Sequence, residues 1–321
     1  MDTMAGHDST FPVIDFSAYS LQRTSPDSET FKDLVDSVSN SLSSSGFLYL
    51  SNHGICKEEI NKVFSQARKF FELPKDVKIK YAMDEEISRN YGYTETGRQK
   101  LNPRRPTDLK EGFAYTPKLL VKKIPEDELP DFEGTLLALF QKCTELGNRM
   151  LEVLARGLNL EDPYHFVKAC RKVGGPENET VIKCLHYPPI LESTNPKDGQ
   201  IRCGEHSDFS LITLLFQDDK GGLEVQAKDG DFIPVPPIEG TIVVNIGDTM
   251  QRWTVDKLVS NVHRVVMPTT DEAKRSSRFS IAFFYNADRD YVVTCIGDSD
   301  KYEPITMDEF LKQKLEAVYL K

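Results

Sequence analysis

The second half of the chain is a succession of short apolar runs: "TVIKCLHYPP", "SLITLLFQD", "GLEVQAKDGDFIPVPP", "TIVVNIGD", "NVHRVVMP" and "RFSIAFFYN". Each is rich in β-branched or aromatic residues and bounded by Gly, Pro, Asp or Asn, which is how short strands read. Many short strands at such spacing must close their sheets on one another. The expected core is a sandwich or double-sheet barrel of the jelly-roll kind.

The first half has a different period. "FPVIDFS" reads as a short strand, but "SETFKDLVDSVSNSLSSSG" places Phe31, Leu34, Val35, Val38 and Leu42 at helical spacing, closed by Gly46. "FLYLSNHG" reads as a strand ending in a turn. "KEEINKVFSQARKFFELP" is a second helix stopped near Pro74, and "DFEGTLLALFQKCTELGNRMLEVLARGLNL" a long amphipathic one with Gly157 near its end. A further helix is expected through "DPYHFVKAC" and a last one at "MDEFLKQKLEAVYL". Between Ile87 and Pro117, Gly, Arg, Thr and Pro show little periodicity, so this stretch reads as an irregular substrate loop or lid. The fold class expected is mainly β with α: a jelly-roll core with N-terminal helices and a C-terminal helix around it, helices and barrel forming one folding unit. The first ten residues are polar and expected to lack fixed structure.

Composition narrows the partners. The net charge is −10 and the isoelectric point about 5.2, so phosphate backbones are repelled and nucleic acid is not an expected partner. Mean hydropathy is −0.42 and no apolar run suffices to cross a bilayer. The N-terminus lacks a signal-peptide pattern. The six cysteines form no CxxC pair, which argues against a cysteine-based zinc site and for reduced thiols. A cytoplasmic monomer that meets neither membrane nor nucleic acid is expected.

The candidate chemistry starts at "GEHSDFSLITLLFQD". His206 and Asp208 are two residues apart, and on an extended chain both leave the same face. Alone, such a pair is more often a turn. His263, in "SNVHRVVMP", would complete a set of two imidazoles and one carboxylate, the donors that suit iron(II) with positions left open. In "RFSIAFFYN", Arg278, Ser280, Ala282 and Phe284 share one face of a strand that is apolar on both sides. A buried arginine needs an anion, either a protein carboxylate or a small carboxylic acid shared with the metal.

Together "HSD", "VHRVV" and "RFS" resemble the iron(II)/2-oxoglutarate-dependent dioxygenases of the isopenicillin N synthase-like branch. "PVIDFS", "GFLYLSNHG", "FFELP", "LHYPP" and "VVNIGD" carry the resemblance across almost the whole chain, and the second half is most similar to fungal thymine dioxygenase and its relatives. The resemblance implies that residues 11–121 form an N-terminal cover, 178–288 the jelly-roll core, and 289–321 a C-terminal strand and helix. It implies His206, Asp208 and His263 as iron ligands, Arg278 and Ser280 as the grip on the distal carboxylate of 2-oxoglutarate, and Tyr187 as a further contact to that cosubstrate. Relatives often carry asparagine where Leu185 stands. The implied reaction consumes O2 and 2-oxoglutarate, with ascorbate supportive, and hydroxylates a small molecule in specialised metabolism. Desaturation, cyclisation or ring expansion, a 2-oxoglutarate-independent oxidase, and a non-catalytic barrel are the alternatives. Halogenation is not expected, because Asp208 is in place.

Phe284, Phe209, Asn90, Tyr93 and Lys183 are the residues expected around the substrate, with Tyr91 and Arg98 in the same entrance region. Lys183 stands where the thymine enzyme's pattern has arginine, and Phe209 where a tyrosine is expected, which argues against a pyrimidine. His7, His53, His165 and His186 belong to no ligand set.

Overall fold

The chain begins with strand β1 (Val13–Asp15), helix α1 (Phe31–Ser44), strand β2 (Phe47–Ser51), helix α2 (Lys57–Glu72) and the short helix α3 (Lys75–Ile79). Strands β3 (Gly92–Thr94) and β4 (Glu111–Tyr115) precede the long helix α4 (Phe132–Gly157). The β-rich part follows: β5 (Val181–Tyr187), β6 (Cys203–His206), β7 (Ile212–Gln217), β8 (Leu223–Gln226), β9 (Phe232–Pro234) and β10 (Ile242–Ile246). After helix α5 (Asp248–Trp253) come β11 (His263–Val265), α6 (Asp271–Lys274), β12 (Arg278–Tyr285), β13 (Val292–Val293), β14 (Ile305–Thr306) and helix α7 (Met307–Val318). This computed structural model describes residues 11–82, 91–117, 123–191, 194–297 and 299–318. The polar first ten residues and Asn90 lie outside the described residues.

The strands form an eight-stranded sheet, in the order β1-β2-β10-β7-β12-β5-β4-β3, and a four-stranded sheet, β6-β11-β8-β9. Period-two alternation decides what each strand offers to either side. On β12, Phe279, Ile281, Phe283 and Tyr285 join the core shared with α1, α2 and α4. Arg278, Ser280, Ala282 and Phe284 face the cavity on the other side. β5, β7 and β10 repeat the division, with Ile182, Cys184, Leu214, Phe216, Val244 and Ile246 toward the helices. A one-residue slip in any of these strands would exchange the core for the cavity, so register and site are specified together. The jelly-roll core with flanking helices is the fold expected.

The helices cover the sheet because their apolar stripes fit it. α1 buries Leu34, Val35, Val38 and Leu42, and α2 buries Val63, Phe64, Ala67, Phe70 and Phe71. Gly46 follows α1 at φ +72°, and a Cβ there would lie 2.0 Å from the Val259 carbonyl oxygen. Only glycine satisfies both the left-handed backbone and that approach.

Three local expectations need correction. The Ile87–Pro117 stretch is not wholly irregular: β3 and β4 extend the large sheet beside β5. Their pairing partner is far away in sequence, which hides them from local periodicity. "DPYHFVKAC" forms only a 3-10 turn at Val167–Ala169. Asp208 lies just beyond β6 rather than on it, so it reaches His206 from a loop. Among the described residues no helix is long and apolar enough to cross a membrane.

Candidate active site

The cavity lies between the two sheets. β6 and β11 bring two histidines together: His206 and His263 are register partners, with ring centroids 4.3 Å apart. Asp208 Oδ1 lies 3.9 Å from His206 Nε2 and 3.7 Å from His263 Nε2. Among the described residues this is the one group of three such donors close enough to share an ion, its ligand atoms all within 4.8 Å.

Hydrogen bonds fix which atoms face the centre. His206 Nδ1 meets the Gly204 carbonyl at 2.8 Å and His263 Nδ1 the Asn261 carbonyl at 3.2 Å. A carbonyl can only accept, so each Nδ1 carries a proton and each Nε2 is left facing the centre. Asp208 Oδ2 accepts from Thr213 Oγ1 and Asn245 Nδ2, both at 2.7 Å, which leaves Oδ1 for the centre. Burial, with the neighbouring His263, brings the His206 imidazole down to about 3, so it is neutral at pH 7. Burial alone would raise the Asp208 carboxyl, but His263, His206 and its two donors hold it below the ordinary value. Two imidazoles and one carboxylate, with second partners in place, fit a divalent iron and leave coordination positions open.

Gly204 has a packing role beside this centre. A Cβ there would stand 3.0 Å from Asn102 Cβ, so glycine lets the 99–110 segment lie against β6. Glu205 then clasps that segment through Arg105 at 2.5 and 2.6 Å and Asn102 at 2.8 Å, and also accepts from Arg264 on β11 at 3.2 Å. Burial would raise the Glu205 carboxyl, but these donors override it and hold it at about 2.

On the facing wall, Arg278 is 1% exposed and has no carboxylate in ion-pair reach among the described residues. Its guanidinium donates to the Gly221 carbonyl at 2.7 Å, Gln217 Oε1 at 2.9 Å and Ser280 Oγ at 3.2 Å, and lies 4.8 Å from the Tyr187 ring centroid. These direct partners are neutral and orient the fork without cancelling its charge, so it can accept a small carboxylate. Lys110, buried beside it in the cavity lining, is paired with Asp108 at 2.6 Å and touches Cys203 Sγ at 3.1 Å. Burial opposes that charge, yet Cys203 and Asp108 hold the ammonium above its usual range.

The structure brings most of the expected residues into one cavity. Tyr187, Lys183, Leu185, Phe209 and Phe284 all line it. Tyr93 does not, and its expected place at the substrate is corrected. Its ring packs on Phe70, and its hydroxyl donates at 2.5 Å to Glu111, on the helix side of the sheet. Tyr91 packs with Val181, Ala114 and Phe284 beside the cavity. His186 alternates away from Tyr187, stacks on Phe279 and bonds Glu111 at 2.7 Å.

Sequence reasoning missed several participants. Gln217, Thr213 and Asn245 are polar residues inside apolar strands, a signal that was available in "TLLFQD" and "VVNIGD". Leu311 and Leu315 of α7 close the cavity mouth. Lys314 anchors that helix on Asp248 at 2.7 Å, and Asp248 also accepts from Ser207, between the two ligand positions.

Comparison with known proteins agrees with this geometry. The 2OG-Fe(II) oxygenase superfamily profile matches residues 178–287, and that of the non-haem dioxygenase in morphine synthesis N-terminal region matches residues 11–131. The chain is 32% identical to the 2-oxoglutarate-Fe(II) type oxidoreductase ppzD of Metarhizium rileyi, over 96% of this chain and 91% of that one. It is 35% identical to the proline hydroxylase buaE of Petromyces alliaceus, over 87% and 91%. Neurospora crassa T7H, solved with alpha-KG and thymine, superposes with a TM-score of 0.82 at 32% identity, covering 98% of both chains. With profile matches at both ends and relatives spanning nearly its full length, the chain belongs to the 2OG-Fe(II) oxygenase superfamily.

Proposed function

We propose that this dioxygenase hydroxylates an unactivated C–H bond of a small organic molecule in specialised metabolism. In that reading His206, Asp208 and His263 hold the iron, and Arg278, Ser280 and Tyr187 hold 2-oxoglutarate. Phe209, Phe284 and Lys183 face the substrate. The balance is R–H + 2-oxoglutarate + O2 → R–OH + succinate + CO2. O2 would be the oxidant, activated by the iron, and 2-oxoglutarate would supply two of the electrons that reduce it; the chain supplies position and a dry cavity.

The observation that carries the reading is one cavity containing both a three-donor cluster and a buried guanidinium that lacks a carboxylate. Asp208 contributes one oxygen because Thr213 and Asn245 occupy the other. The Arg278 fork is pre-aimed by Gly221 and Gln217, so a carboxylate docking there loses little entropy. Leu311 and Leu315 help exclude water at the mouth. Retention of both the donor cluster and the fork favours this over a non-catalytic barrel.

Succinate release tests the reading, with iron(II), ascorbate and O2 supplied and organic substrates varied. Iron-dependent conversion of 2-oxoglutarate is expected even where coupling to a substrate is poor. Oxidation of an organic substrate that proceeds without 2-oxoglutarate would support the oxidase alternative instead.

A further inference from the structure

We infer that the organic substrate is a carboxylate with an apolar body, and that Lys183 takes its charge. This rests on the hydroxylase reading and adds the substrate's chemical class.

Lys183 lies in the middle of β5 and faces the cavity with Val181, Leu185 and Tyr187. It is half-buried, and no described side chain pairs with it. Every other charge in the cavity lining is committed. Lys110 is paired with Asp108, while Glu179 accepts from Tyr91 at 2.9 Å and pairs with Arg289 at 3.4 Å. His206, Asp208, His263 and Arg278 belong to the iron and cosubstrate end.

The strand neighbours of Lys183 are small. In register, Lys183 is flanked by Ala114 on β4 and Ala282 on β12. Beside it, Gly112 has no side chain, and a Cβ there would come within 3.4 Å of the Lys183 side chain. Gly112 thus lets the Lys183 side chain lie against β4, and Ala114 and Ala282 place only methyl groups beside it. The walls nearby, Phe284, Phe209, Leu311 and Leu315, are apolar. A half-buried ammonium among apolar walls is costly without a counter-charge, and a charge-assisted bond to a carboxylate offsets that cost best.

The cosubstrate does not supply that counter-charge. Arg278 pairs in register with Tyr187, and Ala282 with Lys183. The backbone positions of Arg278 and Lys183 are therefore four strand residues apart, roughly 13 Å along the sheet. In the hydroxylase reading Arg278 takes the distal carboxylate of 2-oxoglutarate and its other end faces the iron, so a second anion is left for Lys183. The second is the organic substrate, its carboxylate at Lys183 and its apolar body running toward the iron end.

The test uses aliphatic and aromatic monocarboxylic acids, each paired with its primary amide. Binding is measured by thermal melting with 2-oxoglutarate and manganese(II), without oxygen, for the native protein, Lys183→Met and Lys183→Arg. At least one acid is expected to bind native protein about tenfold or more tightly than its amide, the scale of a charge-assisted bond. Lys183→Met should reduce that preference to within about twofold, Lys183→Arg should keep it, and 2-oxoglutarate affinity should be unchanged in both. No acid preferred over its amide, or a preference undiminished in Lys183→Met, would overturn the inference. Failure of native protein to bind 2-oxoglutarate at all would count against the hydroxylase reading itself, and the same titration shows which has failed.

Discussion

The two ends of the cavity are built differently. At the iron and cosubstrate end nearly every polar atom already has a partner: Asp208 Oδ2 has two donors, each histidine Nδ1 a carbonyl, and Arg278 three neutral acceptors. At the other end the walls come from β5, β12 and α7, and the half-buried Lys183 ammonium has no partner among the described residues. The first end is preorganised for ligands that never change. The second leaves its charge to be matched by whatever enters, which is where specificity can vary without disturbing the chemistry.

Substitutions should separate the two ends. The largest effect is expected for Arg278→Met, which removes the charge-assisted bonds awaiting the cosubstrate. Affinity for 2-oxoglutarate should fall on the order of 100-fold, as two strong hydrogen bonds are lost. A titration with 2-oxoglutarate checks this, and near-native affinity would show that another group anchors it. Next is Asn245→Leu, which frees Asp208 Oδ2 from one of its donors. Metal affinity should drop about tenfold or more, as for other groups that orient ligands, while 2-oxoglutarate discrimination persists.

Glu205→Gln tests the clasp between the 99–110 segment and β6, and should cost about 1–2 kcal/mol of stability, read by denaturant unfolding. The folded-state carboxyl is held at about 2 from an ordinary 4.5. Its stabilisation is therefore complete above about pH 4.5 and lost as pH falls toward 2. Native protein should lose stability over that window more steeply than Glu205→Gln. The smallest effect is expected for Leu185→Asn, which places beside Tyr187 the asparagine that the family resemblance implies there. It should change 2-oxoglutarate affinity by only about threefold, since one neutral hydrogen bond is worth about 1 kcal/mol or less.

The same contrast explains what was legible in the sequence. His206, Asp208, His263, Arg278 and Ser280 lie in short local motifs, and strand alternation correctly placed Arg278 and Phe284 on one face and Phe279 and Tyr285 on the other. Substrate-end residues come from distant segments whose meeting depends on tertiary structure. Leu311 and Leu315 reach the cavity from α7, which docks through the buried Met307 and Leu311 and through the Lys314–Asp248 pair. Tyr93 was misplaced because β3 was not recognised as a strand, so its alternation could not be assigned. Pairing with β4 turns Tyr93 into the helix-side core. Asp208 was read as a strand residue because spacing carries no information on where β6 ends.

The most direct test of the account is iron(II) binding under anaerobic conditions, with 2-oxoglutarate present, in native protein and in His206→Ala. Native protein should hold one iron per chain, and His206→Ala, though folded, should hold none and release no succinate. Stoichiometric iron and native succinate release in His206→Ala would contradict the assignment of His206, Asp208 and His263 as the metal centre.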